Sequence, residues 1–122
     1  MPHSERDLLR LHACAFNGRD LDNLAFQAAP DAPCFCDGEW VGEGPQAVRA
    51  ALEREFTQEA NLVGRMARLD NEPVIVELSG GEGHWQPRGA LRIRGDGSGR
   101  IMELHIDHRD PVVRGVVPEP DR

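Results

Sequence analysis

The stretch that decides the fold is Ala15-Phe16-Asn17-Gly18-Arg19-Asp20-Leu21-Asp22-Asn23-Leu24, followed by Ala29-Pro30-Asp31-Ala32. Asn17-Gly18 stops a helix, because glycine takes the left-handed conformation at little cost. Asp20 then opens a second helix by offering its carboxylate to the free N–H groups of the first turn. Upstream, Leu8, Leu9, Leu11, Ala13, Cys14, Ala15 and Phe16 leave the first helix only a narrow wet face. A helix that apolar must lie on something. Ser4 with Asp7 resembles a capping box at its start. The second helix, 21–28, buries Leu21, Leu24 and Ala25 by the same spacing and ends before Asp31-Ala32-Pro33.

Outward from there the chain turns to strands. Cys34-Phe35-Cys36 reads as a short strand and Asp37-Gly38 as a turn, with Trp40-Val41 pairing back. Pro45 starts a third helix at the position where no donor is needed. It runs to about Glu59 on an inner stripe of Val48, Ala51, Leu52, Glu55 and Phe56, in which Glu55 is the poor fit. Strands follow over 62–69 (weakened by Gly64), 74–78, 86–94 and 100–107. From Pro111 the chain reads as a loose tail, so 1–110 form a single domain and 111–122 the tail. Helices first and antiparallel strands afterwards give an α+β plan.

Composition narrows the function classes. The 122 residues suffice for one core and are too few for two. The formal charge of −7, with arginine as the only strong base, argues against nucleic acid or an anionic membrane as partner. Three cysteines that cannot pair evenly, and a start without an apolar leader core, set the expectation of free thiols in the cytoplasm. No apolar run approaches the roughly 20 residues that span a bilayer.

The helix, Asn-Gly-x-Asp-Leu-Asp turn, short helix and Pro-Asp-Ala before a strand resemble the opening of the nuclear transport factor 2-like (SnoaL-like) superfamily. The run Gly42-Glu43-Gly44-Pro45-Gln46-Ala47-Val48-Arg49 resembles that superfamily's lead into its third helix. The resemblance covers roughly residues 5–110. It implies three N-terminal helices packed in the concave face of a strongly curved, mostly antiparallel sheet, a cone-shaped, cystatin-like α+β roll. It also implies a pocket inside the cone and a homodimer through the outer sheet face.

Candidate site residues follow from the resemblance and from strand parity. His12 matches the position where ketosteroid-isomerase-like members carry an oxyanion-binding tyrosine; a packed histidine with one bonded nitrogen is the plainer reading. The family's proton-shuttling carboxylate falls near the end of the first strand, on Cys36 or, one residue on, Asp37, and a one-residue slip decides which faces inward. The third isomerase position matches Gly89, so that acid is missing, and the polyketide-cyclase His and Asp positions match Leu104 and Ile106. Parity puts Gly89, Leu91 and Ile93 on the inner face with Leu104, Ile106 and His108, joined by Val74, Val76 and Leu78. It puts His105 and Asp107 outside, in a charged ladder where Arg92 faces Glu103 and Arg88 faces Asp107. The pocket is then lined by Phe16, Val76, Leu91, Ile93, Leu104 and Ile106, with His12 deepest. His108, Trp40 and Trp85 stand at its mouth, where two tryptophans can clamp a flat ligand.

Cys34-x-Cys36 lacks a second ligand pair for zinc, and Gly95-Asp96-Gly97-Ser98-Gly99 is a hairpin turn without the lysine or helix of a phosphate loop. Neither a metal nor a cofactor is expected. The reading is a small-molecule-binding pocket protein with an apolar, flat ligand. An isomerase, polyketide cyclase or epoxide-hydrolase-type enzyme using His12, Asp37 and His108 is the alternative, and an association domain with a vestigial pocket is the third.

Overall fold

A computed structural model describes residues 5–81 and 83–119; the capping box expected at Ser4 lies outside them. The elements are α1 (Glu5–Asn17), α2 (Leu21–Phe26), β1 (Pro33–Cys36), β2 (Glu39–Glu43), α3 (Gly44–Gln58), β3 (Leu62–Leu69), β4 (Glu72–Ser79), β5 (Gln86–Gly95), β6 (Ile101–Asp107), α4 (Asp110–Gly115) and β7 (Val117–Pro118). The turn between α1 and α2 forms where the sequence puts it, but the left-handed conformation expected at Gly18 falls on Arg19, at φ 57°. Asp20 accepts a hydrogen bond from the Asn23 N–H at 3.1 Å, and Pro45 sits in the first turn of α3. Asn17 ends α1 and also docks it: its side chain accepts from Gly64 N at 2.7 Å and donates to Gly64 O at 3.0 Å. Gly64 is therefore useful in β3, since a Cβ there would stand 3.0 Å from Ile75 and 3.1 Å from the Phe16 ring.

The strands form one seven-stranded sheet in the order β2-β1-β6-β5-β4-β3-β7. All neighbours are antiparallel except β1 and β6, which run parallel with Cys34 beside Leu104 and Cys36 beside Ile106. The cone-shaped, strongly curved sheet expected from the resemblance is not present. This sheet is open, with β2 and the short β7 as separate edges, and it carries four helices rather than three. The reason lies in β3 and β4, which are apolar on both faces. On one face Leu62, Ile75, Leu91, Ile93, Leu104 and Ile106 pack with Leu8, Phe16, Leu24, Val48 and Leu52 of the helices. On the other, Ala67, Leu69, Val74 and Val76 form a second cluster with Leu78, Val112 and Val116. A sheet buried on both sides lies between two layers and has no need to wrap around one.

Val74, Val76 and Leu78 thus belong to the face away from α1, and Val76 cannot line a pocket beneath that helix. The segment expected as a loose tail supplies that second layer, through α4, β7 and a bidentate Arg6–Glu119 pair at 2.7 and 2.8 Å. No helix among the described residues is long and apolar enough to cross a membrane.

Candidate functional site: a carboxylate–imidazole cluster at the end of β6

The site is assembled where β1, α3, β4, β5 and the end of β6 meet. Because β1 runs parallel to β6, the Asp37 turn lands beside the residue that follows the strand. Asp37 N donates to Ile106 O at 2.8 Å, and Asp37 Oδ1 accepts from His108 N at 2.7 Å. On the other side of the His108 ring stand two carboxylates. Nε2 lies 2.5 Å from Glu55 Oε1 of α3 and 3.5 Å from Glu77 Oε1 of β4. Nδ1 lies 3.6 Å from Asp37 Oδ1. Two of the sequence-predicted residues, Asp37 and His108, are thereby brought together.

β5 shapes the floor. Its pairing with β4 skips a residue: Glu77 faces Gly89 and Leu78 faces Pro87, leaving Arg88 as the extra residue of a bulge. A bulge re-aims its side chain. Arg88 therefore reaches the helix side, donating to Glu55 Oε1 at 3.2 Å and to Gln58 Oε1 at 3.2 Å, with Glu77 Oε1 at 3.9 Å. The Arg88–Asp107 pair expected across the hairpin does not form. The hairpin register sets Ala90 opposite Asp107, Arg92 opposite His105 and Arg94 opposite Glu103, so the Arg92–Glu103 pair fails as well. Gly89 has a specific task here, since a Cβ at that position would run into Glu77 Oε1 and stand 2.9 Å from His108 Cδ2.

The electrostatics follow from burial and neighbours. Glu77 is fully covered and neither of its oxygens receives a hydrogen bond. Burial pushes its carboxyl up to about 7; the His108 ring opposes this and the Glu55 charge adds to it. Burial would also raise Glu55, but the hydrogen bond from His108, helped by Arg88, holds it below the usual carboxylate range. The bond to Glu55, with Glu77 behind it, lifts the His108 imidazole to about 10 against the cost of its partial burial. Cys36, at the end of β1, has its thiol raised by burial and then by the Glu55 charge.

The remaining predicted residues lie elsewhere. His12 is completely buried on α1, with Nδ1 3.1 Å from Gln27 Oε1 and Nε2 without a partner. Burial lowers it to about 4, so it is a neutral ring at neutral pH. Phe16, Leu91, Ile93, Leu104 and Ile106 are side chains of the packed core rather than walls of an open cavity. Trp40 on edge strand β2 and Trp85 ahead of β5 are 60% and 41% exposed. Asp107 is held by Arg109 at 2.6 Å, and His105 stacks on Phe35 with centroids 4.5 Å apart. A surface cavity of about 550 Å³ opens between α1, α2 and the β5–β6 turn, beside Leu11, Cys14, Phe26, Gln27 and Arg100.

Glu55, Glu77 and Arg88 are the members of the cluster that the candidate residues of the sequence did not include. Glu55 had a signal, as a charge in the apolar stripe of α3. Glu77 had one too, as the only charge in Val74-Ile75-Val76-Glu77-Leu78. Arg88 had none, because a bulge is invisible to strict alternation.

Comparison with solved structures bears on the fold alone. A protein named as a candidate polyketide cyclase from Sinorhizobium meliloti superposes with a TM-score of 0.60 at 20% identity, covering 82% of this chain and 93% of that one. An NTF2-like protein of unknown function from Burkholderia xenovorans gives 0.59 at 15% identity, over 96% and 85%. A hypothetical protein with a ketosteroid isomerase-like fold from Catenulispora acidiphila, solved with trimethylamine, gives 0.62 at 19% identity, over 88% of each chain. The chain has an NTF2-like fold. No protein-family model matches it, and neither does any curated protein. Identities this low carry the NTF2-like architecture and leave the chemistry of its site to be argued from its own residues.

Proposed function

We propose that this chain is a small-molecule-binding domain whose ligand is taken at the end of the sheet where Asp37, Glu55, Glu77, Arg88 and His108 converge. The observation that carries this reading is Glu77, a carboxylate sealed in the core without a hydrogen-bond donor, at the back of a cluster whose front is open. His108 is 27% and Asp37 47% exposed. Its charge faces His108 at 3.5 Å and Arg88 at 3.9 Å, but proteins rarely bury such a group without a hydrogen bond, and a core strand position would otherwise be apolar. The apolar, flat ligand expected from the sequence fits here only with a polar end that meets the cluster, its body lying toward exposed Trp40 or Trp85. The Catenulispora protein of the same fold, which holds a small amine in its structure, supports a search among compact ligands.

The 2.5 Å contact between His108 and Glu55 favours a second reading, proton transfer on that ligand. Such a pair holds the proton donor and acceptor that an isomerase, polyketide cyclase or epoxide hydrolase needs. His12 has no part in that reading. Homodimerisation through the outer sheet face would have to use the area beside Arg92, Arg94, Glu103 and His105 or the β2 edge, since α4 covers the part formed by β3 and β4.

A thermal-shift screen with steroids, polyketide-like aromatics, terpenoid epoxides and small amines, run in EDTA and again with added Zn²⁺, tests the proposal. The expected result is saturable stabilisation by one class, lost in His108→Asn and Glu55→Gln. No stabilisation by any class, or a hit indifferent to both substitutions, would overturn it.

A further inference from the structure

We propose that Glu55, Glu77 and His108 form a binding site for a divalent transition-metal ion of the zinc class. This rests on the cluster of the preceding reading and deepens it, since a bound ion would present an open coordination position to the ligand. Three separate elements supply one donor each, and a donor atom from each lies within 4.8 Å of the other two. The side chains of Glu55 and Glu77 are 3% and 0% exposed. Neither Glu77 oxygen receives a hydrogen bond, and both belong to a group aimed at the other two donors. Glu77 is reached only from the side of Glu55 and His108, and a bare ion is small enough to sit between the three and carry the ligand's polar end to them.

The space for it is set by β5. Glycine at position 89, directly across from Glu77, leaves open the volume that any Cβ would take from the Glu77 carboxylate and the His108 ring. One imidazole and two carboxylates, with no thiolate, suit zinc, cobalt or manganese. With bond lengths near 2.1 Å, donors around a tetrahedral ion stand about 3.4 Å apart. His108 Nε2 and Glu77 Oε1 are already 3.5 Å apart. The Glu55–His108 contact of 2.5 Å is a proton's distance, so the ion takes the place of that proton and the pair opens by about 1 Å. Arg88, 3.2 Å from Glu55 Oε1, stays outside and orients that carboxylate, the kind of support that metal ligands ordinarily have. Three protein donors leave a position for water or a ligand oxygen. The sequence reading excluded zinc on the cysteines; these ligands are too scattered along the chain for spacing to reveal them.

The test uses the full chain stripped with EDTA and titrated with Zn²⁺ by calorimetry and with Co²⁺ by visible absorption. The expected result is one ion per chain at micromolar affinity or tighter, with Co²⁺ showing the absorption of a tetrahedral site. Glu77→Gln and His108→Asn should each weaken binding at least tenfold, with circular dichroism confirming that the variants are folded. For wild-type protein, Co²⁺ should shift the ring resonances of His108 and leave those of His84 and His105 in place, a readout that needs no variant. Absence of stoichiometric binding, binding that survives both substitutions, or shifts centred on the His105–Glu103 pair would overturn the proposal. The organic-ligand screen is run in EDTA and again on the Zn²⁺-loaded chain: a hit in EDTA without metal binding sinks this inference alone, and metal binding without a hit in either condition sinks only the ligand reading.

Discussion

His12 and His108 carry the same side chain into the same fold, and the fold drives them in opposite directions. His12 sits in the middle of the most apolar helix, with one neutral partner, Gln27, at 3.1 Å. Its ring is stripped of water and given no charge to face, so it is held neutral, at about 4. His108 sits past the end of a strand, 27% exposed, with Glu55 at 2.5 Å and Glu77 at 3.5 Å. Its proton is wanted by its neighbours, and it rises to about 10. Burial of the ring itself keeps one histidine neutral, while the hydrogen bond to buried Glu55 keeps the other charged.

Breaking the His108 side should have the largest effect. Glu55→Leu removes the nearest acceptor of both His108 and Arg88 and leaves the two cations with Glu77 and, on the far side of the His108 ring, Asp37. Losing one partner of a buried ionic cluster typically costs several kcal/mol, and about 3–4 kcal/mol is expected in urea unfolding at pH 7. A loss below about 1 kcal/mol would mean that water, not Glu55, satisfies these groups.

The His12 side should show itself in acid. Its folded value lies below the ordinary 6.5, so between about 6.5 and 4 the unfolded chain binds a proton that the folded chain refuses. This contribution is complete above the upper value and is lost as pH falls through the window, amounting to about 3 kcal/mol by pH 4. Stability curves at pH 7 and pH 4 should therefore diverge more for wild type than for His12→Gln. Parallel losses in the two proteins would show that the ring is hydrated.

The smallest effect sharpens the same comparison. Gln27→Leu leaves both His12 nitrogens without a partner, at a cost of about 1–2 kcal/mol, the usual range for an orphaned buried group. A matching substitution at Gln58, which holds Arg88 from the surface at 3.2 Å, should change stability by less than about 0.5 kcal/mol. Chemical denaturation of the two variants side by side measures the difference.

Sequence alone determined the helix–turn–helix opening, the third helix from Pro45, and the inward faces of β5 and β6, because caps, prolines and alternation act over a few residues. It also placed His12 on a buried helix face and set Asp37 and His108 among the candidates. Tertiary structure decided the rest. Val74-Ile75-Val76 is apolar throughout, so its sequence cannot say which face meets the helices, and the second layer under Val76 comes from a segment after Pro111 that reads as a tail. A single extra residue at Arg88 inverts the parity of everything before it and turns an outer-ladder cation into a partner of Glu55. The cluster of Glu55, Glu77 and His108 exists only because three elements distant in the chain converge where Gly89 leaves room, and alternation or spacing along the chain carries no record of that convergence.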